Sequence, residues 1–206
     1  MAAKRKPEPE TADPLDRALD AALRLAASRK WSEIALPEIA AEAGLSLGET
    51  LRVAPSKAAL LAAFGRRVDA AMFGRPVEAE GSVKDKLFDL IMRRFDALAP
   101  HKVAVKNILA DLPRDPMAAL CALPGLLRAM RWTAEAAGIK TTGPLAPFKI
   151  NALTLAYLNT LRVWLHDDSA DAAKTMSNLD KALDRLSALA SSFPGFQKGK
   201  TAPSKA

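Results

Sequence analysis

The sequence predicts an all-α protein of about nine helices. Alanine and leucine dominate an apolar set that makes up 50% of the residues, tyrosine occurs once, and no stretch alternates apolar with polar residues over strand length. Helix caps and stops also recur at short intervals along the chain.

A chain of 206 residues suits one compact unit, or a small domain followed by a larger one. Its single cysteine, Cys121, rules out an internal disulfide, and the neighbours Leu120, Ala122 and Leu123 predict a buried thiol in a cytoplasmic protein. No run reaches the roughly 18 uncharged apolar residues of a membrane span. The opening Lys4, Arg5 and Lys6 precede no apolar signal core, so a soluble protein without stable membrane insertion is expected. Formal charge is +7, yet residues 13 to 75 hold nine Arg or Lys against eight Asp or Glu. Charge alone therefore makes no case for nucleic acid.

Residues 1 to 12 are rich in Pro, Lys and Glu and read as a flexible arm. Asp13 before Pro14 then gives a cap and a first-turn proline, and Leu15, Leu19, Ala22 and Ala26 mark one helical face to about Lys30. Trp31 and Ile34 follow as buried connectors. A short helix opens at Pro37 and stops at Gly44. Ser46-Leu47-Gly48-Glu49 is a capping box that starts another short helix, which Pro55 ends near Val53. Ser56 caps the next, with Leu60, Phe64, Val68 and Met72 four apart.

Residues 74 to 82 form the expected boundary between a helix-turn-helix domain over 13 to 74 and a body over 82 to 192. Ser82 and Asp85 make a second capping box ahead of Leu87, Ile91, Phe95 and Leu98. Pro100 starts a helix carrying Val103, Ile108 and Leu112. Asp115-Pro116 caps another that ends near Gly138 and that Pro124-Gly125 should kink or split. Phe148 to Leu165 is apolar on most faces, as in a helix buried against both the body and a second subunit. Ser169 caps a last helix in which Met176, Leu179, Leu183, Leu186 and Ala190 repeat by three and four, the seam of a four-helix dimer interface to which Leu161 and Trp164 would contribute. Residues 193 to 206 read as a flexible tail.

Two short helices joined by a glycine turn and framed by longer ones form the unit that presents a helix start to a major groove. Ile39, Ala40, Ala43 and Leu45 would pack inside. Leu47, Thr50 and Arg52 would face outward, the Gly48 and Glu49 amides beside Ser46 would lie near a phosphate, and Lys57 would neutralise another. The DNA-contacting set is thus Ser46, Leu47, Gly48, Glu49, Thr50, Arg52 and Lys57. In the body, Met92, Phe95, Ile108, Leu127, Met130, Phe148 and Tyr157 could line a pocket for a small apolar ligand or lipid, or simply form core. His101 and His166 have no nucleophile or metal-ligand spacing around them and no Gly-rich phosphate loop occurs, so neither an enzyme nor a cofactor is expected.

Ile39-Ala40-Ala41-Glu42-Ala43-Gly44-Leu45-Ser46-Leu47-Gly48, followed by Pro55-Ser56-Lys57-Ala58-Ala59-Leu60-Leu61, resembles the DNA-binding domain of the TetR family over about sixty residues. The resemblance implies a homodimeric, ligand-responsive transcriptional regulator that binds palindromic DNA. In that family the slots of Leu51 and Ala54 usually hold a tyrosine on the DNA backbone and a phenylalanine anchor, and both aromatics are missing here. A second resemblance lies in the body. Leu158-Asn159-Thr160-Leu161-Arg162-Val163-Trp164-Leu165-His166-Asp167-Asp168-Ser169-Ala170-Asp171, continuing to Thr175-Met176, and Leu98-Ala99-Pro100-His101 resemble a TetR-fold accessory family of ubiquinone biosynthesis. It implies isoprenoid-lipid binding without DNA. Capping by Asp167, Ser169 and Asp171 also accounts for that motif.

Overall fold

The computed structural model describes residues 13–78, 80–114 and 116–192; the expected arm and tail, and the cap at Asp115, lie outside them. Nine α-helices and no strand occur among the described residues. Helix α1 (Pro14–Ser28) starts where the Asp13 carboxylate accepts a hydrogen bond from the Leu15 amide at 3.0 Å, and it buries Ala18, Leu19, Ala22 and Ala26. A 3-10 turn at Trp31–Glu33 and the buried Ile34 lead to α2 (Leu36–Glu42), whose start is closed by Glu38 accepting from the Ala35 amide at 2.8 Å.

The turn after α2 needs a residue in the left-handed region, and Gly44 supplies it with φ of +65°. The Leu45 amide donates back to the Ala40 carbonyl at 2.9 Å. Arg17 of α1 clamps the same turn, its Nη2 donating to the carbonyls of Ala43 and Gly44 at 2.8 and 2.9 Å. Helix α3 (Leu47–Val53) follows at once with the predicted capping box. The Glu49 amide donates to Ser46 Oγ at 3.2 Å, and the Glu49 carboxylate accepts from the Ser46 amide at 2.8 Å. Helix α4 (Lys57–Phe73) is capped by Ser56 Oγ, which accepts from the Ala59 amide at 3.1 Å.

The chain forms two compact units: residues up to Phe64 together with Val103–Ala122, and Gly65–Lys102 together with residues from Leu123 onward. The loop over 74 to 82, expected as a boundary, lies inside the second unit. In the first unit α6 (Lys102–Asp111) is tied to the N-terminal helices by long-range hydrogen bonds. Asn107 Nδ2 donates to the Ala26 carbonyl at 2.9 Å, and the Ser32 amide and hydroxyl both donate to Asp111 at 2.8 Å.

In the second unit α5 (Val83–Leu98), α8 (Ala146–Trp164) and α9 (Ala173–Ser192) pack around Phe95, which stacks on Tyr157 and Trp164 with ring centroids 5.6 and 5.5 Å away. Beside it the Arg94 guanidinium is buried in an ion pair with Asp69 and donates from Nε to the Tyr157 hydroxyl at 3.3 Å.

Three local expectations are corrected. Helix α7 (Pro116–Ala136) is one helix through Pro124, so it does not split there; Leu120, whose carbonyl loses its helical donor to the proline, is exposed and can be hydrated. Cys121 is exposed, as are Leu120 and Leu123 around it, so its apolar neighbours do not bury the thiol. Val103 is 57% exposed, its side of α6 being the outer one, while Ala104, Val105 and Ile108 turn inward.

Replacing Gly44 with alanine forces a Cβ into left-handed backbone with its carbon 3.0 Å from Arg17 Nη2. Gly44→Ala should therefore cost about 2 kcal/mol of stability in urea unfolding. An unchanged midpoint would contradict this account of the turn.

Candidate functional site

The outer face of α3 carries Leu47 and Leu51, 42% and 43% exposed, with Gly48 and Arg52, also exposed. This is the surface a helix-turn-helix offers to a groove. Ile39, Ala40 and Ala43 are buried beneath it and Leu45 is half-buried, as the sequence predicted. The side chain of Arg52 is exposed and has no ion-pair partner among the described residues.

Two of the seven expected DNA-contacting residues point elsewhere. Thr50 is 0% exposed, and its Oγ1 donates to the Ser46 carbonyl at 3.1 Å. In a helix of seven residues it falls on the inward side, opposite Leu51 and Arg52. Lys57 is a strut: its Nζ donates to the carbonyls of Trp31 and Ile34 at 2.5 and 2.8 Å and lies 4.9 Å from the Trp31 ring centroid. Those carbonyls belong to the first residue of the 3-10 turn and to the residue that follows it, so the ammonium holds the α1–α2 connection.

Ser46 and Glu49 are exposed but engaged with each other. The Ser46 hydroxyl, and then its amide, hold the Glu49 carboxyl below the usual carboxylate range, so α3 keeps a negative charge at its own start at any physiological pH. The Glu49 amide, expected near a phosphate, already donates to Ser46 Oγ. Ala54, at the end of α3, is fully buried, so this slot faces the core and not a groove.

In the second unit a cavity of about 630 Å³ opens between the start of α5, the end of α7, the start of α8 and the end of α9. Leu87, Leu153 and Leu183 form its buried apolar part, and Phe148, Leu186 and Leu189 continue it toward solvent. Of the seven expected pocket residues only Phe148 lines it. Phe95, Met130 and Tyr157 are core, Met92 and Leu127 are half-buried away from the cavity lining, and Ile108 belongs to the other unit.

Comparison with solved structures draws these features together. A TetR transcriptional regulator from Nitrosomonas europaea is 28% identical, with 85% of this chain and 99% of that chain covered and a TM-score of 0.68. A TetR transcriptional regulator from Rhodococcus sp. RHA1 is 22% identical, covering 84% and 94% with a TM-score of 0.60. One from Streptomyces coelicolor is 18% identical, covering 88% and 86% with a TM-score of 0.60. The fold is that of TetR transcriptional regulators. No protein-family model matches the sequence, and neither does any curated protein. Among the described residues no helix is long and apolar enough to cross a membrane, and no group of metal-binding side chains occurs.

The six residues expected at a subunit interface divide on inspection. Leu161, Trp164, Leu179 and Leu183 are buried inside the chain, where α8 and α9 pack on each other and on α5; Met176 and Leu186 are half-buried. A three-four repeat marks a helix packing edge without saying whether the partner is internal. The outward apolar side of α8 carries Leu155 and Leu158 instead, 68% and 39% exposed. Leu155 lies seven residues after Phe148 and Leu158 three after Leu155, and that spacing is the signal that finds them.

The segment from Trp164 to Thr175 that resembles the lipid-binding family builds a capped corner between α8 and α9. Asp167 is buried and accepts from the amides of Ser169 and Thr175 at 3.2 and 2.8 Å, from Thr175 Oγ1 at 2.7 Å, and from the Ser169 hydroxyl. Helix α9 begins at Ala173, later than expected, so Asp171 precedes it and its carboxylate accepts from the Ala173 amide at 3.2 Å. Lys102 closes the corner by donating to the Asp167 carbonyl at 2.6 Å above the Trp164 ring.

The Ser169 and Thr175 hydroxyls, then their amides, hold the Asp167 carboxyl far below the usual carboxylate range. A depressed folded-state value means stability that is complete above the unfolded value, about 3.9, and is lost as pH falls toward the folded one. Wild-type protein should therefore weaken progressively below about pH 4. Asp167→Asn should be destabilised at pH 7 and show a shallower acid slope by thermal melts; an unaltered slope would show that Asp167 does not carry it.

Proposed function

We propose that the chain works as a cytoplasmic, ligand-responsive TetR-type transcriptional regulator that binds palindromic DNA as a homodimer. The observation that carries the reading is the exposed face of α3, with Leu47, Gly48, Leu51 and Arg52, held by the Gly44 turn and the Arg17 clamp. Four such exposed residues on the second short helix of an intact helix-turn-helix are suited to a major groove. The outward apolar side of α8, through Leu155 and Leu158, is the surface offered to a second copy, and an apolar molecule in the cavity of the second unit is the signal.

Arg52 is the cation on that face. Arg52→Ala should leave thermal stability within about 0.5 kcal/mol, as for a surface position. It should also lower affinity for the gene's own upstream DNA by roughly tenfold and reduce the salt slope, measured by fluorescence anisotropy. An affinity and slope equal to wild type would remove α3 from the interface.

A second reading, a lipid-binding accessory protein of quinone synthesis that no longer binds DNA, is favoured by one pairing. The charge on Glu49 and the engaged Lys57 weaken the DNA face, while the cavity is largely apolar. Mass spectrometry of an organic extract of purified protein separates the two. Co-purifying isoprenoid lipid would support the accessory reading, and its clean absence beside a positive DNA titration would dismiss it.

A further inference from the structure

Resting on the reading of α3 as the DNA-facing helix, we infer that the chain recognises its sites through the C5 methyl groups of thymine, which Leu47 and Leu51 meet in the major groove. Sequence is then read by apolar contact more than by hydrogen bonds to base edges, and thymine is the base that each half-site must place beneath α3.

Most polar side chains of this helix and its cap are already committed within the chain. The Ser46 hydroxyl donates to the Glu49 carboxylate at 2.7 Å, and that carboxylate also accepts from the Ser46 amide at 2.8 Å. Thr50 is buried, its hydroxyl donating to the Ser46 carbonyl at 3.1 Å. Arg52 is the polar side chain left on the outward face, and a guanidinium serves phosphate as readily as guanine, so it does not by itself fix a base. What the face offers to base edges is therefore apolar. Leu47 and Leu51 are both exposed and lie four residues apart, on one side of the helix. In the major groove of an unmodified duplex the apolar group is the thymine methyl; the other bases present donors and acceptors that leucine leaves unpaired.

Gly48 is the second observation. It lies three residues before Leu51, on the same side of α3, and it is exposed. Its backbone is not in the left-handed region, unlike that of Gly44, and a Cβ at this position would meet no described atom within 4 Å. Neither the backbone nor the packing of the described residues thus calls for glycine here, and alanine is the better helix former. A position without a side chain beside two leucines lets an outside surface come close to the helix backbone while the leucines straddle it. The floor of a groove, with methyl groups standing up from it, is such a surface.

Two versions of the gene's upstream DNA test this, one amplified with thymidine and one with deoxyuridine in its place throughout, which removes the C5 methyl and keeps every Watson–Crick bond. Fluorescence anisotropy of the full-length protein at about 50 mM salt should show the deoxyuridine DNA bound roughly tenfold more weakly or worse, the loss expected of two or more buried methyl contacts. In the double variant Leu47→Ala, Leu51→Ala the ratio of the two affinities should fall to about one, with helicity followed by circular dichroism. Gly48→Leu, which fills the position between them, should keep its unfolding midpoint and bind thymidine DNA more weakly. Equal affinity of the wild type for the two DNAs, a ratio that survives the double variant and so belongs to the shape of the DNA, or Gly48→Leu binding like wild type would each overturn the inference and leave the regulator reading standing. Folded wild-type protein that binds neither DNA would overturn both.

Discussion

The α2–α3 turn is the constraint on which any DNA-binding use of the chain depends. Three residues, Gly44, Leu45 and Ser46, separate buried Ala43 from exposed Leu47 at the start of α3, and the chain reverses there because Gly44 accepts a left-handed backbone. Arg17 reaches from α1 to satisfy the two carbonyls that the turn leaves over. With that turn fixed, Thr50 must point inward and Arg52 outward, and the Ser46–Glu49 box sets where α3 starts. Lys57 performs the same service one connection earlier, holding the carbonyls of Trp31 and Ile34. Two cations, Arg17 and Lys57, are thus committed to holding backbone carbonyls.

That commitment sets the electrostatics of the face. Glu49 keeps its charge because the Ser46 hydroxyl and amide favour the carboxylate, and a carboxylate at the helix start repels the phosphate that would otherwise rest there. In the proposed dimer, affinity for DNA would rest on few cations per subunit, and pairing of subunits would multiply what each can supply. The second unit handles charge differently. Arg94 is buried, and Asp69 of α4 and the Tyr157 hydroxyl of α8 satisfy it beside the Phe95 stack. A buried guanidinium left without Asp69 would be strongly unfavourable, so this pairing orients α4, α5 and α8 more than it adds net stability.

Much of this was legible in the residues, and the reason is locality. Asp13, Ser46, Ser56 and Ser82 announce helix starts through bonds to residues two or three away, and Gly44 announces a stop through its own backbone. What depended on distant partners was not legible. Nothing in the sequence pairs Ser32 with Asp111, so α6 joins the N-terminal helices across the expected domain order. Leu161 and Leu183 have the spacing of a subunit seam but meet each other's helices within one chain, and Leu155 carries the outward face. Cys121 sits among apolar neighbours that are themselves uncovered. Lys57 looked like a phosphate contact because its type and position fit one. Only its distance to the Trp31 and Ile34 carbonyls reveals the strut.

The central claim is that the exposed face of α3 reads DNA in a dimer, and hydroxyl-radical footprinting over the gene's upstream region tests it most directly. At about 50 mM salt the account predicts two protected blocks related by dyad symmetry, with centres about 10 base pairs or a multiple of it apart. Uniform cleavage across the region at that salt, with folded protein in excess, would contradict it.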